Sequence, residues 1–208
     1  RRLEMGALKQ EKVSEEEFAQ LVLSSDIRYE WVEGQMRAMA GGDLKHSQLI
    51  DNLAAALKPR LRGQKCRAAG SNFHIKVEED GSWFVPDNAI YCDKARFISK
   101  PFKALLDPVV IFEVLSPSTE KTDRSTKFDR YSKIGALKDY VLITREFVRV
   151  EHFERRSDGW LLHRLTTLED VLNLVSVSIQ IPLAELYDDL DIPIQLTLLP
   201  TLTPPEND

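Results

Sequence analysis

The sequence predicts a mixed fold, α/β in the broad sense and α+β in detail: a central sheet of parallel and antiparallel strands flanked by helices. Three observations lead there. Residues 109–115, "VVIFEVL", form an apolar run that reads as a strand buried on both faces. Residues 109–144 then read as strand, helix, strand, the unit that makes parallel pairs. Alternating segments turn at Asp80–Gly81 and at Asp158–Gly159, as antiparallel hairpins do. At 208 residues the chain is long enough for one filled core, and length argues for one domain.

Taken in order, residues 1–13 are polar and read as a flexible N-terminus, followed by a domain over 14–189. "SEEEFAQLVLSS" carries Ser14 and Glu17 at capping-box spacing and Phe18, Leu21 and Val22 at helical intervals. "RYEWVEGQMRAMA" reads as two short strands about Glu33–Gly34, and Gly41–Gly42 then breaks the chain. From His46 to Arg62 a stripe of Leu49, Ile50, Leu53, Leu57 and Leu61 predicts a helix that Pro59 kinks or ends. Segment 73–92 reads as a hairpin, and residues 116–135 after the buried strand as a helix ending at Gly135. "DYVLIT" is a second buried strand, 147–166 a second hairpin, and a last strand near 176–181 leads to a short helix over 183–187. Residues 190–208, with four prolines, read as a tail.

Composition narrows the function classes. With 43% hydrophobic and 29% charged residues the chain looks globular, and no apolar stretch approaches the roughly 20 residues of a membrane helix. No basic-then-apolar leader is visible, so the expected location is cytoplasmic. Cys66 and Cys92 have no metal-ligand spacing and are expected to be buried thiols in a reducing compartment. A net charge of −5 means that any nucleic-acid binding rests on a local basic surface.

The chemistry lies in the middle of the chain. Glu113 interrupts the most hydrophobic strand, where an ionised carboxylate is costly unless something pairs with it. Asp87 stands 26 residues earlier, after Pro86, and adjacent strands could bring the two together. Two such carboxylates repel unless a cation lies between them, and Mg²⁺, a hard ion that takes carboxylate oxygens, fits. Lys127 shares its helical stripe with Tyr131 and Ile134, so it is expected to point inward, where it could stabilise charge on a phosphate. The plainer alternatives are a structural Glu113–Lys127 ion pair, turn chemistry at Asp87, and a lysine that snorkels to solvent.

"YEWVEG", "AGGDLKH", "VPD", "VIFEVLSPST" and "DRSTKFDRYSKIGALKDYVLI", in this order, resemble the Uma-two (Uma2) family of the restriction-endonuclease-like PD-(D/E)xK nuclease superfamily, over about residues 14–187. The resemblance implies a restriction-endonuclease-like fold with a central mixed sheet, a divalent metal (Mg²⁺ or Mn²⁺) on an Asp and a Glu, and hydrolysis of phosphodiester bonds in DNA. It makes Asp87 the PD aspartate, Glu113 the E-x-K glutamate and Glu30 an accessory acid, and it makes a homodimer plausible. Two departures stand out. Leu115 occupies the usual lysine position, with Lys127 the candidate replacement, and Gln35 stands where the family usually reads "DGE". His46, at a helix start, could touch a phosphate or cap the helix, and Arg124 and Arg130, flanking Lys127, could contact backbone phosphates. His74, His152 and His163 are expected to be satisfied strand residues, with Ser118 or Thr119 capping the next helix. Leu115 and the acidic charge also suit a second reading, an inactive nuclease fold that binds nucleic acid or protein. A third is a hydrolase of another phosphate ester.

Overall fold

A computed structural model describes residues 12–39, 43–117 and 119–192. Gly41–Gly42, Ser118 and the two terminal segments, 1–11 and 193–208, lie outside the described residues.

The main sheet holds six strands in the order β12-β11-β10-β9-β6-β3. These are β3 (Cys66–Gly70), β6 (Asn88–Cys92), β9 (Val110–Leu115), β10 (Asp139–Thr144), β11 (Val150–Arg156) and β12 (Gly159–Leu165). Only β9 and β10 run parallel, and every residue of both is buried. That is why they read as continuous apolar runs rather than as alternating ones. A second six-stranded sheet runs β2-β1-β5-β4-β8-β7. Its strands are β1 (Tyr29–Val32), β2 (Gln35–Ala38), β4 (His74–Lys76), β5 (Trp83–Phe84), β7 (Phe97–Ile98) and β8 (Ala104–Leu105). A separate hairpin, β13 (Val171–Leu174) with β14 (Ile179–Pro182), leads to helix α5 (Leu183–Leu186).

Helices close both faces of the main sheet. Leu49, Leu53, Leu57 and Leu61 of α2 (Leu44–Leu61) meet Phe112, Val114, Val141 and Ile143 on one face. Tyr131, Ile134 and Leu137 meet Ile111, Leu115, Tyr140 and Leu142 on the other, where Phe84 of the second sheet joins them. Helix α1 (Glu15–Ser24) begins at the expected Ser14–Glu17 capping box and inserts Phe18 beside Trp83.

Several expectations need correction. Cys66 and Cys92 are bonded to each other: they stand directly opposite in the β3–β6 ladder, a proximity that their 26-residue separation gave no way to read. Segment 73–92 is not one hairpin, since β4 and β5 pair in the second sheet while β6 crosses to the main one. The α2 helix starts at Leu44 and passes Pro59 by two residues. The helix after β9 ends at Tyr131, with turns carrying the chain on past Gly135, and Thr119 makes no side-chain cap there. Short β3, β7, β8 and β13 had no apolar period to announce them. Leu190 and Ile192, expected in the tail, pack on the α2 side of the core.

Asp80 shows how the second sheet is tied to the crossover helix. Its carboxylate bonds Lys133 at 2.9 Å and Arg130 at 3.1 Å. Burial pushes its pKa up, but the hydrogen bonds from Ser82, Lys133 and Arg130 outweigh it and hold the pKa at about 2. A depressed carboxylate adds stability above its ordinary value of 3.8 that disappears as pH falls toward about 2. Asp80→Asn is therefore expected to lose about 1 kcal/mol at neutral pH and to show a flatter acid limb than the parent. Urea titrations followed by tryptophan fluorescence across that range check both.

Candidate active site

The antiparallel register of β6 on β9 pairs Asn88 with Phe112 and Ala89 with Ile111, and Asp87, the residue just before β6, continues that register toward Glu113. Their alternation puts both side chains on the face that packs against the second sheet. Asp87 Oδ2 accepts a 2.7 Å hydrogen bond from the Val114 amide, which fixes the carboxylate against β9. The sheet thus brings together the two acids that stand 26 residues apart in sequence.

The lysine arrives from the crossover. After β9 the chain forms α3 (Glu120–Thr122), a π-helical segment over Asp123–Lys127, and α4 (Phe128–Tyr131). Positions 123, 127 and 131 are four apart, a spacing that drifts around a 3.6-residue turn; the wider π turn offsets the drift, so all three side chains point inward. Lys127 Nζ lies 3.0 Å from Glu113 Oε1, 3.0 Å from Glu30 Oε1 and 3.2 Å from Asp123 Oδ1. Tyr131 donates its hydroxyl to Glu113 at 3.2 Å. Glu30 comes from β1 and also accepts from the Val85 amide.

These groups are deeply buried: Lys127 is 3% exposed, Glu113 2%, Asp123 1%, Asp87 4% and Glu30 5%. Burial raises the Glu113 pKa well above the usual carboxylate range, and Asp123, Asp87 and Glu30 push the same way against the pull of Lys127. Burial works against the Lys127 ammonium, yet Glu113, Glu30, Tyr131 and Asp123 hold its pKa well above that of a free lysine. The lysine is therefore a fixed positive charge rather than a base.

A cleft of about 450 Å³ opens over this cluster, and Glu30, Asp87, Glu113, Asp123 and Lys127 all line it. His46 reaches in from the first turn of α2, its Nε2 3.5 Å from Asp87 Oδ2. It does not cap the helix: Asp43 does, accepting from the His46 amide at 3.0 Å. Arg124 and Arg130, the expected phosphate contacts, do not line the cleft. Arg124 is held by Glu120 and Glu151, and Arg130 by Glu33 and Asp80, because the residues flanking an inward Lys127 face other ways on the helix. The expected strand histidines are engaged elsewhere, His74 with the Tyr29 carbonyl, His152 with Asp139 and His163 with Glu154. Cleft arginines that the sequence reading missed are Arg28, Arg37 and Arg145. Arg145 follows β10 directly and bonds Asp43 at 2.7 Å, a position at the end of a parallel strand where α/β folds gather function. Asp123 was also missed, although it stands four residues before Lys127 on the same stripe.

Comparisons with known proteins give the family and the fold. Residues 15–184 match the model of the Uma2 family, described as "Putative restriction endonuclease". The chain belongs to the Uma2 family. Two uncharacterized proteins of Synechocystis sp. (strain ATCC 27184 / PCC 6803 / Kazusa) are similar to it. One, slr1290, is 31% identical over 85% of this chain and 92% of its own length. The other, sll1609, is 31% identical over 65% of this chain and 77% of its own. The fold is shared with a crystal structure from Anabaena variabilis ATCC 29413, described as a putative nuclease belonging to DUF820. It has a TM-score of 0.68 and 16% identity, over 83% of this chain and 96% of that one.

In this Uma2 chain the donor set suits a small hard cation. Asp87 and Glu113 supply carboxylate oxygens on rigid strands, and one or two carboxylates plus waters or phosphate oxygens are the usual Mg²⁺ set. Among the described residues no three His, Cys, Asp or Glu side chains converge as a ready metal cage. Asp123 Oδ1 has no hydrogen-bond partner, its approach to Lys127 being electrostatic alone. Four carboxylates against one ammonium leave the cluster in want of positive charge.

Lys127→Met would leave Glu30, Glu113 and Asp123 without their counter-ion in a buried site. The expected cost is about 3 kcal/mol or more at neutral pH, measured by urea denaturation. The deficit should shrink on acidification, because Glu113, with its raised pKa, takes a proton more readily in the folded state. An equal deficit at both pH values would contradict this electrostatic account.

Proposed function

We propose that this Uma2 protein is a metal-dependent nuclease that hydrolyses phosphodiester bonds in DNA, with the cleft as its active site. One observation carries the reading: Asp87, at the mouth of β6, is bonded to β9 at the residue next to Glu113, beside a buried ammonium, in an arginine-lined cleft. The family description and that of the Anabaena variabilis structure support it.

In this reading Asp87 and Glu113 hold Mg²⁺ or Mn²⁺. The bound ion would supply a Lewis acid for the phosphoryl oxygens and a more acidic water. Lys127, kept protonated by its neighbours, stabilises the extra negative charge that the phosphate gains as water attacks. Glu30 and Asp123 hold the ammonium in place, and Tyr131 orients Glu113 through its hydroxyl. His46 restrains Asp87 and stands within reach of a phosphate oxygen in the cleft. The walls of β6, β9 and the crossover exclude bulk water from one side, which strengthens every charge interaction there. The reading puts the enzyme with its DNA in the cytoplasm, and a homodimer would offer two sites for two strands. Among the described residues no helix is long and apolar enough to cross a membrane.

A specific observation favours one alternative. Leu115, where the superfamily pattern has its lysine, is buried among Tyr131, Tyr140 and Leu142, which would suit an inactive nuclease fold that only binds. Incubation of the full chain with plasmid, linear duplex and single-stranded DNA separates the two. Cleavage is expected with Mg²⁺ or Mn²⁺ and to fall at least 100-fold on chelation, in Asp87→Asn and in Lys127→Met. Absence of cleavage in every DNA form would sink the nuclease reading.

Metal binding is expected to be measurable without turnover. At a concentration of about 100 times Kd an ion that binds only the native state adds about 2.7 kcal/mol, seen as a rise in Tm. Asp87→Asn should abolish that rise.

A further inference from the structure

We propose that the groove between the C-terminal half of α2 and the edge strand β3 is a second DNA-contact surface, continuous with the cleft, that holds the phosphate backbone beyond the scissile bond. This rests on the nuclease reading and extends it to residues outside the cluster.

The charge distribution points there first. From Asn52 to Val77 the chain carries six basic residues, Lys58, Arg60, Arg62, Lys65, Arg67 and Lys76, and no acidic one, in a protein of net charge −5. Four of them gather where α2 gives way to β3. Lys58, Arg62, Lys65 and Arg67 are exposed, and the first three form no ion pair among the described residues. Arg67 pairs with Asp93 at 3.1 Å, but both side chains are more than half exposed, so a phosphate can displace that carboxylate at little cost. Seven other arginines among the described residues, by contrast, are engaged: Arg60, Arg96, Arg124, Arg130, Arg145, Arg156 and Arg164 all sit in ion pairs.

Shape comes second. Lys58, Arg62 and Arg67 line a groove of about 740 Å³ whose floor includes Cys66, Gly70 and Asn88. Strand β3 is the outer strand of the main sheet, so the groove opens along an edge rather than into the core.

Continuity with the cleft is the third point. Asp87 lines the cleft and its neighbour Asn88 lines the groove, because successive residues point to opposite faces of the sheet. Gly70 pairs with Asn88 in the β3–β6 ladder and lines the groove. The next residue, Ser71, accepts a 2.9 Å hydrogen bond from Arg28, which lines the cleft. A strand leaving the cleft past Arg28 thus meets the sheet edge at Gly70 and then the basic groove. A side chain added at Gly70 would meet nothing within 4 Å, so the passage there is open.

The cations are surface groups, so reversing them should leave the fold intact. Binding of a fluorescein-labelled 30-base-pair duplex is followed by anisotropy, in chelator so that no cleavage intervenes, for the full chain, for Lys58→Glu/Arg62→Glu/Lys65→Glu and for Gly70→Glu. Both variants are expected to bind at least tenfold more weakly than the parent. The triple variant should also show a salt-dependence slope lower by about 2.7, the value for three lost phosphate contacts on duplex DNA. Hydrolysis of bis(p-nitrophenyl) phosphate, too small to reach the groove, should be unchanged in both. Unaltered affinity and slope, or absence of duplex binding by the parent, would overturn the second surface. Loss of small-ester hydrolysis along with affinity would overturn it too, by showing damage to the cleft. If the parent binds in the variant-sensitive way but never cleaves, the groove stands and the nuclease reading falls.

Discussion

One buried ammonium holds the molecule's chemistry and much of its architecture together. Lys127 touches Glu30 from the second sheet, Glu113 from the main sheet and Asp123 from the crossover between β9 and β10. Each of these ions is expensive to remove from water, and each is tolerable only because the others are already in place. The two sheets are therefore joined at this point by charge, and Phe84 of the second sheet also packs on Tyr131 of the crossover. The π turn follows from the same requirement, since it lets Asp123 and Lys127 face one partner cluster. Such turns are found where function asks a helix to aim side chains that a regular helix would spread.

The surroundings keep the charge balance local. Tyr131 of the crossover and Tyr140 of β10 are fully buried against each other, and Tyr140 gives its hydroxyl to the Asp123 carbonyl, not to a carboxylate. Outside the cluster, cations near the crossover are held by acids of their own: Arg124 by Glu120 and Glu151, Arg130 and Lys133 by Asp80. These pairs turn Arg124, Arg130 and Lys133 to acids other than those that hold Lys127. They also remove two arginines from any role that flanking position alone would suggest.

What could be read beforehand followed from patterns that one segment carries by itself. The double-buried β9 and β10, the α2 stripe, the Ser14–Glu17 capping box and the inward face of Lys127 are all local periodicities. Asp87 and Glu113 could be joined because adjacent strands of one sheet would bring them together, and the resemblance to Uma2 assigned their roles. What escaped depended on register and on which neighbour won. Cys66 and Cys92 meet only because β3 and β6 pair in one alignment. Arg124 and Arg130 face carboxylates brought by distant strands. Arg28, Arg37 and Arg145 come from three unconnected places and become neighbours of the cluster only through the fold. Two-residue strands such as β7 and β8 have no period at all to detect.

Helix α2 has one more consequence, which is metric. Its first turn presents His46 to the cleft, and Arg62, 16 residues later, stands at the far groove. At about 1.5 Å per residue these points are separated by roughly 24 Å along the axis. The rod is held at its far end by the two-pronged Arg60–Glu185 bond and at its middle by Asn52 on the Leu186 carbonyl. A rigid element of that length acts as a ruler. In the proposed complex it would set the reach from the phosphate in the cleft to the outermost phosphate at about seven base-pair steps of ~3.4 Å, a dimension written into the number of helical turns rather than into any residue that touches the DNA.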